Sequence, residues 1–142
     1  MSRMILVASF ATLLALSAVW TGRAQQPTQG AAPPQITGTS AAMDAKDLNV
    51  ARRRFDAGAR TYWHSHARGQ LLLVEQGRMR LQKRDQAVRE LGPGESDFTA
   101  ANVLHWHGAA ADQPAVQINV GFGGQTKWME QVTDAEYNAK VG

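Results

Sequence analysis

The chain has 142 residues with 44% hydrophobic, 19% charged and 7% aromatic content, enough for one small core and too little for a dinucleotide-binding domain joined to a second domain. Thirteen glycines and five prolines beside that modest charge exclude disordered and collagen-like classes and point to a turn-rich all-β domain; the lack of cysteine excludes disulfides, zinc ribbons, iron–sulfur clusters and thiol catalysis. The formal charge of +3 falls to thirteen basic against twelve acidic residues once Arg3 and Arg23 of the N-terminal segment are set aside, and this leaves no electrostatic footprint for nucleic acid.

Met1 to Arg3 give a short positive start, Met4 to Trp20 form an apolar run, and Gly22 and Ala24 are small at the positions a signal peptidase needs. Residues 1–24 read as a signal peptide cleaved after Ala24, with a secreted or periplasmic product and no stable membrane insertion after cleavage. The seventeen-residue run leaves open an uncleaved anchor. Residues 25–43, rich in Gln, Pro, Ala, Gly and Thr, have no periodicity and read as a flexible leader. The folded domain is expected over 44–142.

Within that domain, short runs alternate with turn residues: Asn49 to Asp56, Thr61 to Ser65, Gln70 to Gln76, Arg78 to Arg84, Ala87 to Leu91, Ser96 to Thr99, Val103 to His107 and Ala115 to Gly121. About eight strands at this spacing suit a sandwich or jelly roll. Gly77 is expected as the turn that joins the third run to the fourth. In Arg52-Arg53-Arg54, alternation sets Arg53 on the opposite face from its neighbours, and the triple reads as a solvated strand segment. Leu71 to Val74 form a continuous apolar run, as in a strand covered on both faces. Thr133 to Glu136 have the form of a capping box, which predicts a two-turn helix near the C-terminus.

All four histidines fall in two copies of one pattern, His64-Ser65-His66 and His105-Trp106-His107. Residues two apart on a strand share a face, so each pair can aim two imidazoles into one space, and two such strands can surround a metal ion. Trp63 and Trp106 then face away from the histidines, as core or interface anchors. Tyr62 shares the face of His64 and is a candidate hydrogen-bond donor in the pocket. Gln82 and Arg84 fall on an outer face, and Gln117 and Asn119 share one strand face from which both could line the barrel.

Gly58, His64, His66, Gln70 and Gly77 resemble the first motif of the cupin superfamily at every spacing, with Gln70 in place of its glutamate. Gly94 and His105 match the second motif, whereas Ala100, Asn102 and Ala109 depart from it; Asn102 tolerates the positive φ that the motif's glycine serves. This resemblance covers Asn49 to Phe122 and implies a double-stranded β-helix, the cupin jelly roll, with one divalent metal held by His64, His66, Gln70 and His105. Replacing a carboxylate by an amide leaves the full divalent charge on the metal, which strengthens it as a Lewis acid and weakens its retention. It also moves the set away from the two-histidine, one-carboxylate pattern of many iron oxygenases.

The segments Gly58 to His66, His105 to Ala110 and Trp128 to Thr133 are similar to small bacterial cupins that include manganese-dependent hydroxynitrile lyases. That resemblance implies manganese, with iron, nickel, cobalt or zinc as alternatives, and cyanohydrin cleavage with His107 as the acid/base. The chain departs from those lyases at Gln117, where they carry a further pocket histidine; glutamine cannot shuttle a proton. The expected partner is a small hydroxyl- or carbonyl-bearing substrate, and family habit adds a homodimer or higher oligomer. A cupin-type dioxygenase and a non-catalytic ligand-binding cupin are the alternatives.

Overall fold

The computed structural model describes residues 36–142, so the expected signal segment 1–24 and the leader up to residue 35 lie outside the described residues. Residues 36–41 are exposed and form no strand or helix, and residues 42–142 make up one unit. In chain order this unit contains β1 (Asn49–Phe55), β2 (His64–His66), β3 (Gln70–Gly77), β4 (Met79–Lys83), β5 (Arg89–Leu91), β6 (Ser96–Thr99), β7 (His105–Ala109), β8 (Ala115–Gly121), β9 (Thr126–Trp128) and α1 (Asp134–Tyr137). Two antiparallel sheets form, one ordered β1-β8-β3-β6 and the other β5-β4-β7-β2-β9, which is the jelly-roll arrangement expected.

Every expected run contains a strand. β2 begins three residues later than expected because the backbone bends at Trp63. β9 was not foreseen: three residues following Gly123-Gly124 are too short for alternation to show. The helix spans a single turn instead of two, but its cap is as expected. Thr133 Oγ1 accepts from the Glu136 backbone N–H at 3.2 Å, and the Glu136 carboxylate accepts from the Thr133 N–H at 2.8 Å.

Two apolar clusters hold the domain. Between the sheets, Phe55, Val74, Met79, Leu81, Leu91, Ala109 and Ala115 point inward from alternate strand positions. Behind the second sheet, Trp63, Val88, Trp106, Val132 and Tyr137 form another, built by the C-terminal segment folding back over the outer face. This is why every residue of β7 is buried: one face meets the interior and the other meets that segment. Trp63 and Trp106 are therefore core anchors. The Trp106 indole N–H donates to Gln82 Oε1 at 3.0 Å, the Tyr137 hydroxyl donates to the Ala109 carbonyl at 2.6 Å, and the Arg84 guanidinium lies 4.1 Å over the Trp63 ring. Gln82 and Arg84 thus sit half-buried on the outer face, as expected.

Gly77 does not close a hairpin. β3 and β4 belong to different sheets, and the chain crosses between them at Gly77, whose φ is 73°. A Cβ there would lie 2.0 Å from the Pro114 carbonyl oxygen, so the crossing requires glycine. Across the open edge, the buried Asp97 carboxylate of β6 accepts from Lys83 Nζ at 3.0 Å, Arg89 at 2.7 Å and Thr99 Oγ1 at 3.1 Å, tying one sheet to the other with its lone pairs satisfied. The apolar run in β3 is covered on one face only within a single chain: Leu72 and Val74 are buried, whereas Leu73 is exposed and lies on the same outer face as Phe98 and Val50, which are exposed as well.

Gly108 sits where β7 passes closest to the loop after β1. A Cβ at this position would meet the Ala59 carbonyl oxygen at 2.4 Å and the Arg60 Cα at 2.6 Å, and that carbonyl is held by the Ala109 N–H at 2.9 Å. Gly108→Ala is expected to destabilise the fold by about 1–3 kcal/mol or more, because backbone must move to admit the methyl group. A urea denaturation midpoint equal to that of the unmodified protein would contradict this.

Candidate metal centre

Strand register assembles the site. β2 pairs with β7 so that His64 lies directly opposite His105, and with β9 so that His64 lies opposite Trp128 and His66 opposite Thr126. His64, His66, His105 and His107 all project from the second sheet into the sandwich, and the nitrogens of His64, His66 and His105 lie within 4.8 Å of one another. Gln70, the first residue of β3, reaches toward them from the facing sheet and places Oε1 3.2 Å from His105 Nε2.

The backbone fixes which nitrogens are offered. A carbonyl can only accept, so His64 Nδ1 donates to the Tyr62 carbonyl at 2.9 Å and His105 Nδ1 donates to the Val103 carbonyl at 3.0 Å. Both rings are then Nδ1–H tautomers with an Nε2 lone pair turned inward, the orientation that outer hydrogen bonds impose on metal-ligating histidines. His66 is held by Thr126 Oγ1 at 3.0 Å from Nδ1, and its buried Nε2 has no hydrogen-bond partner. The turn before His105 depends on Asn102, which takes the left-handed conformation expected of it at φ 61°.

This donor set fits a divalent cation. The Nε2 lone pairs of His64 and His105 converge with the unpartnered His66 Nε2, and the Gln70 amide oxygen facing His105 Nε2 sets one acceptor against another. A shared cation satisfies both; without one, the amide must turn its NH2 inward. The three histidines can hold a metal ion, and neutral imidazole and amide donors do not discriminate sharply among first-row metals.

Burial keeps the imidazoles neutral. It pushes His64 down to about 3 and His105 down to about 4, with mutual repulsion among the imidazolium forms adding to the effect at His64, and it also lowers His66. His107 is driven well below its usual value by burial, then by the neighbouring histidines and Arg53. In the metal-free protein each folded-state pKa thus lies below the unfolded value of about 6.5. The unfolded chain binds more protons below that pH, so the stability present above about 6.5 is lost as pH falls toward the folded values. The urea midpoint of metal-free protein is expected to drop between pH 7.5 and pH 5, above the range where carboxylates titrate, and to drop less in a His64→Ala, His105→Ala variant. Equal pH dependence in the two proteins would contradict the burial argument.

The imidazoles open onto a cavity of about 510 Å³, bordered by His64, His66, His107, Gln70, Gln117 and Asn119. Gln117, only 1% exposed, has no partner for its Oε1, and His107 has none for Nδ1. The His107 ring meets Phe55 edge-on at 5.9 Å between centroids and lies 5.3 Å from the His64 ring. Trp128 tilts against His64 at 4.8 Å and forms part of the cavity wall.

Most sequence-derived site residues meet here: His64, His66, Gln70, His107, Gln117 and Asn119 border one cavity, and His105 packs against His64 and Gln70 beside it. Tyr62 does not. It precedes β2, where strand alternation no longer applies; its side chain is 50% exposed and absent from the cavity wall, while Thr61 takes the inward position and only the Tyr62 carbonyl serves the site. Sequence reasoning missed Trp128, which lies on the unforeseen β9, and Arg53, which lines the cavity from β1. The signal for Arg53 was present in the alternation that set it apart from Arg52 and Arg54.

A sandwich with inward histidines at one end defines a class, and comparison with known proteins identifies it. The Cupin domain pattern matches residues 51–121, half of the chain, and the chain belongs to the cupin family. An (R)-mandelonitrile lyase from Granulicella tundricola is 38% identical over 86 residues, which are 58% of this chain and 66% of that protein, so the match spans just under two thirds of the relative's length. A cupin-like protein from Thermotoga maritima is 39% identical, with a TM-score of 0.63 over 64% of this chain and 71% of its own. A DMSP lyase from Ruegeria pomeroyi shares the fold at 18% identity, with a TM-score of 0.52 over 65% of this chain and 45% of its own.

Proposed function

We propose that this chain is a metal-dependent cupin enzyme that breaks or forms a carbon–carbon bond at a hydroxyl-bearing carbon of a small substrate, as a hydroxynitrile lyase does. The observation that carries this reading is the convergence of the His64, His66 and His105 nitrogens within 4.8 Å of one another, beside a neutral, buried His107 that borders the same cavity as His64 and His66. The similarity to an (R)-mandelonitrile lyase supports the reaction class.

His64, His66, Gln70 and His105 would hold the cation, with manganese the favoured occupant and iron, nickel, cobalt or zinc as alternatives. A divalent cation there would supply Lewis-acid polarisation of the substrate hydroxyl or carbonyl oxygen. His107 supplies the proton chemistry. Its depressed pKa keeps the imidazole free to accept the hydroxyl proton; as the carbon–carbon bond breaks, its electrons leave with cyanide, which takes the proton back from His107. Gln117 can orient a substrate by hydrogen bonding but cannot relay a proton, so His107 serves both transfers. Phe55 and the buried strand faces around His107 keep bulk water from that nitrogen.

The test is benzaldehyde release from mandelonitrile by manganese-reconstituted protein in air and under argon. Metal-dependent release at equal rates in both atmospheres is expected. Release no faster than in buffer overturns the lyase reading, and turnover confined to air assigns the site to oxygenation instead. The same reading includes export, with a mature N-terminus at Gln25 that N-terminal sequencing of exported protein would reveal. It also includes a homodimer that covers the outer face of Val50, Leu73 and Phe98; a monomeric molar mass by light scattering would contradict the dimer.

A further inference from the structure

Resting on the metal-centre reading above, we infer that the natural ligand is a small hydroxy- or oxo-carboxylate, its hydroxyl or oxo oxygen at the histidine trio and its carboxylate held by Arg53. Three consecutive arginines have unequal surroundings. Arg52 and Arg54 project from the outer face of β1 and pair with Glu75 and Asp56. Arg53 projects from the inner face and lines the cavity, and among the described residues it makes no hydrogen bond or salt bridge.

The second guanidinium on the cavity wall is already engaged. Arg60 donates to the Asp134 carboxylate at 2.6 Å and the Val132 carbonyl at 3.1 Å, and lies 4.5 Å over the Tyr137 ring. Among the described residues, no aspartate or glutamate lines the cavity. One positive charge therefore faces it without a counter-charge, which favours an anionic ligand.

Placement limits the size of the ligand. Phe55, the next inward residue of β1, touches His107, so the Arg53 backbone stands about 7 Å further along the strand, a gap that its own side chain can span. Arg53 lies directly opposite Gln117 in the β1–β8 register, and the buried Gln117 Oε1 lacks a donor, which a ligand hydroxyl would supply. A single free guanidinium matches a singly charged carboxylate, which it can bind through two parallel N–H···O bonds. An uncharged cyanohydrin leaves Arg53 unused, so on this account cyanohydrin cleavage is a side activity of a site shaped for a hydroxy acid.

The test uses isothermal titration of (R)-mandelate and of its neutral counterpart mandelamide into full-length protein, both metal-loaded and EDTA-treated, with metal content measured in parallel. Mandelate is expected to bind about threefold or more tightly than mandelamide, the size of a charge-assisted contact to a solvent-screened guanidinium. Arg53→Gln is expected to erase that preference, by weakening mandelate far more than mandelamide, while leaving metal content unchanged. Arg53 is exposed, so the substitution removes little packing. Arg53→Lys should keep part of the preference, and Arg52→Gln on the outer face should keep all of it.

Equal affinity for the two ligands, or an undiminished preference in Arg53→Gln, overturns the inference even if the metal is present. An Arg53-dependent preference in a protein that binds no metal upholds carboxylate capture and instead overturns the metal-centre reading. The two failures are therefore distinguishable.

Discussion

His107→Ala is expected to lower turnover of a hydroxyl-bearing substrate by about 10²–10⁴-fold while the protein keeps its metal. The imidazole is 4% exposed, neutral, and not one of the three clustered nitrogens, so its removal takes away a proton acceptor and no ligand. Its backbone N–H is held by Thr61 Oγ1 at 3.2 Å and its strand is fixed by pairing with β4, so the alanine variant retains its local geometry. The informative comparison is with His107→Gln, which preserves hydrogen bonding but not proton transfer and should be nearly as slow. If either variant lost metal in proportion to activity, His107 would be a ligand and not a separate proton acceptor.

Trp106→Ala is expected to cost about 3–5 kcal/mol in unfolding free energy, the range for removing a fully buried large aromatic ring. Trp106 has no exposed surface, packs at 5.7 Å against the Tyr137 ring, and donates to Gln82. Its loss leaves a cavity behind the second sheet, between β7 and the C-terminal segment, and strands the Gln82 amide oxygen. Because His105 and His107 flank it on the same strand, metal retention should fall together with the urea midpoint. A loss of less than about 1 kcal/mol would mean that the C-terminal segment does not form a second core.

The histidine cluster was legible because strand alternation is strict: His-x-His on two strands can only place its imidazoles on one face, and β2–β7 pairing then sets His64 against His105. The start of β3 at Gln70 was readable from the turn residues before it, but the role of the glutamine only through the family motif, since nothing local to Gln70 announces that its side chain faces the second sheet. Tyr62 was misplaced because the alternation was carried past the point where the strand starts. Gly77 announced a turn but not a change of sheet, which depends on the close approach of Pro114. The cover behind β7 was hidden for a related reason. The capping box marked a helix, yet only the tertiary structure shows Val132 and Tyr137 folding over Trp63 and Trp106. Arg53 shows the converse: alternation set it apart from its neighbours, and its meaning emerged only when the inner face proved to be a cavity wall.

The central claim is that His64, His66 and His105, with Gln70 beside them, bind one divalent cation. It is tested most directly by elemental analysis of purified protein, as isolated and after reconstitution, beside the His64→Ala, His105→Ala variant. About one equivalent of a first-row metal per chain in the unmodified protein, and none in the variant, is the expected result. No metal in the unmodified protein even after reconstitution, or the same metal content in both, would contradict it.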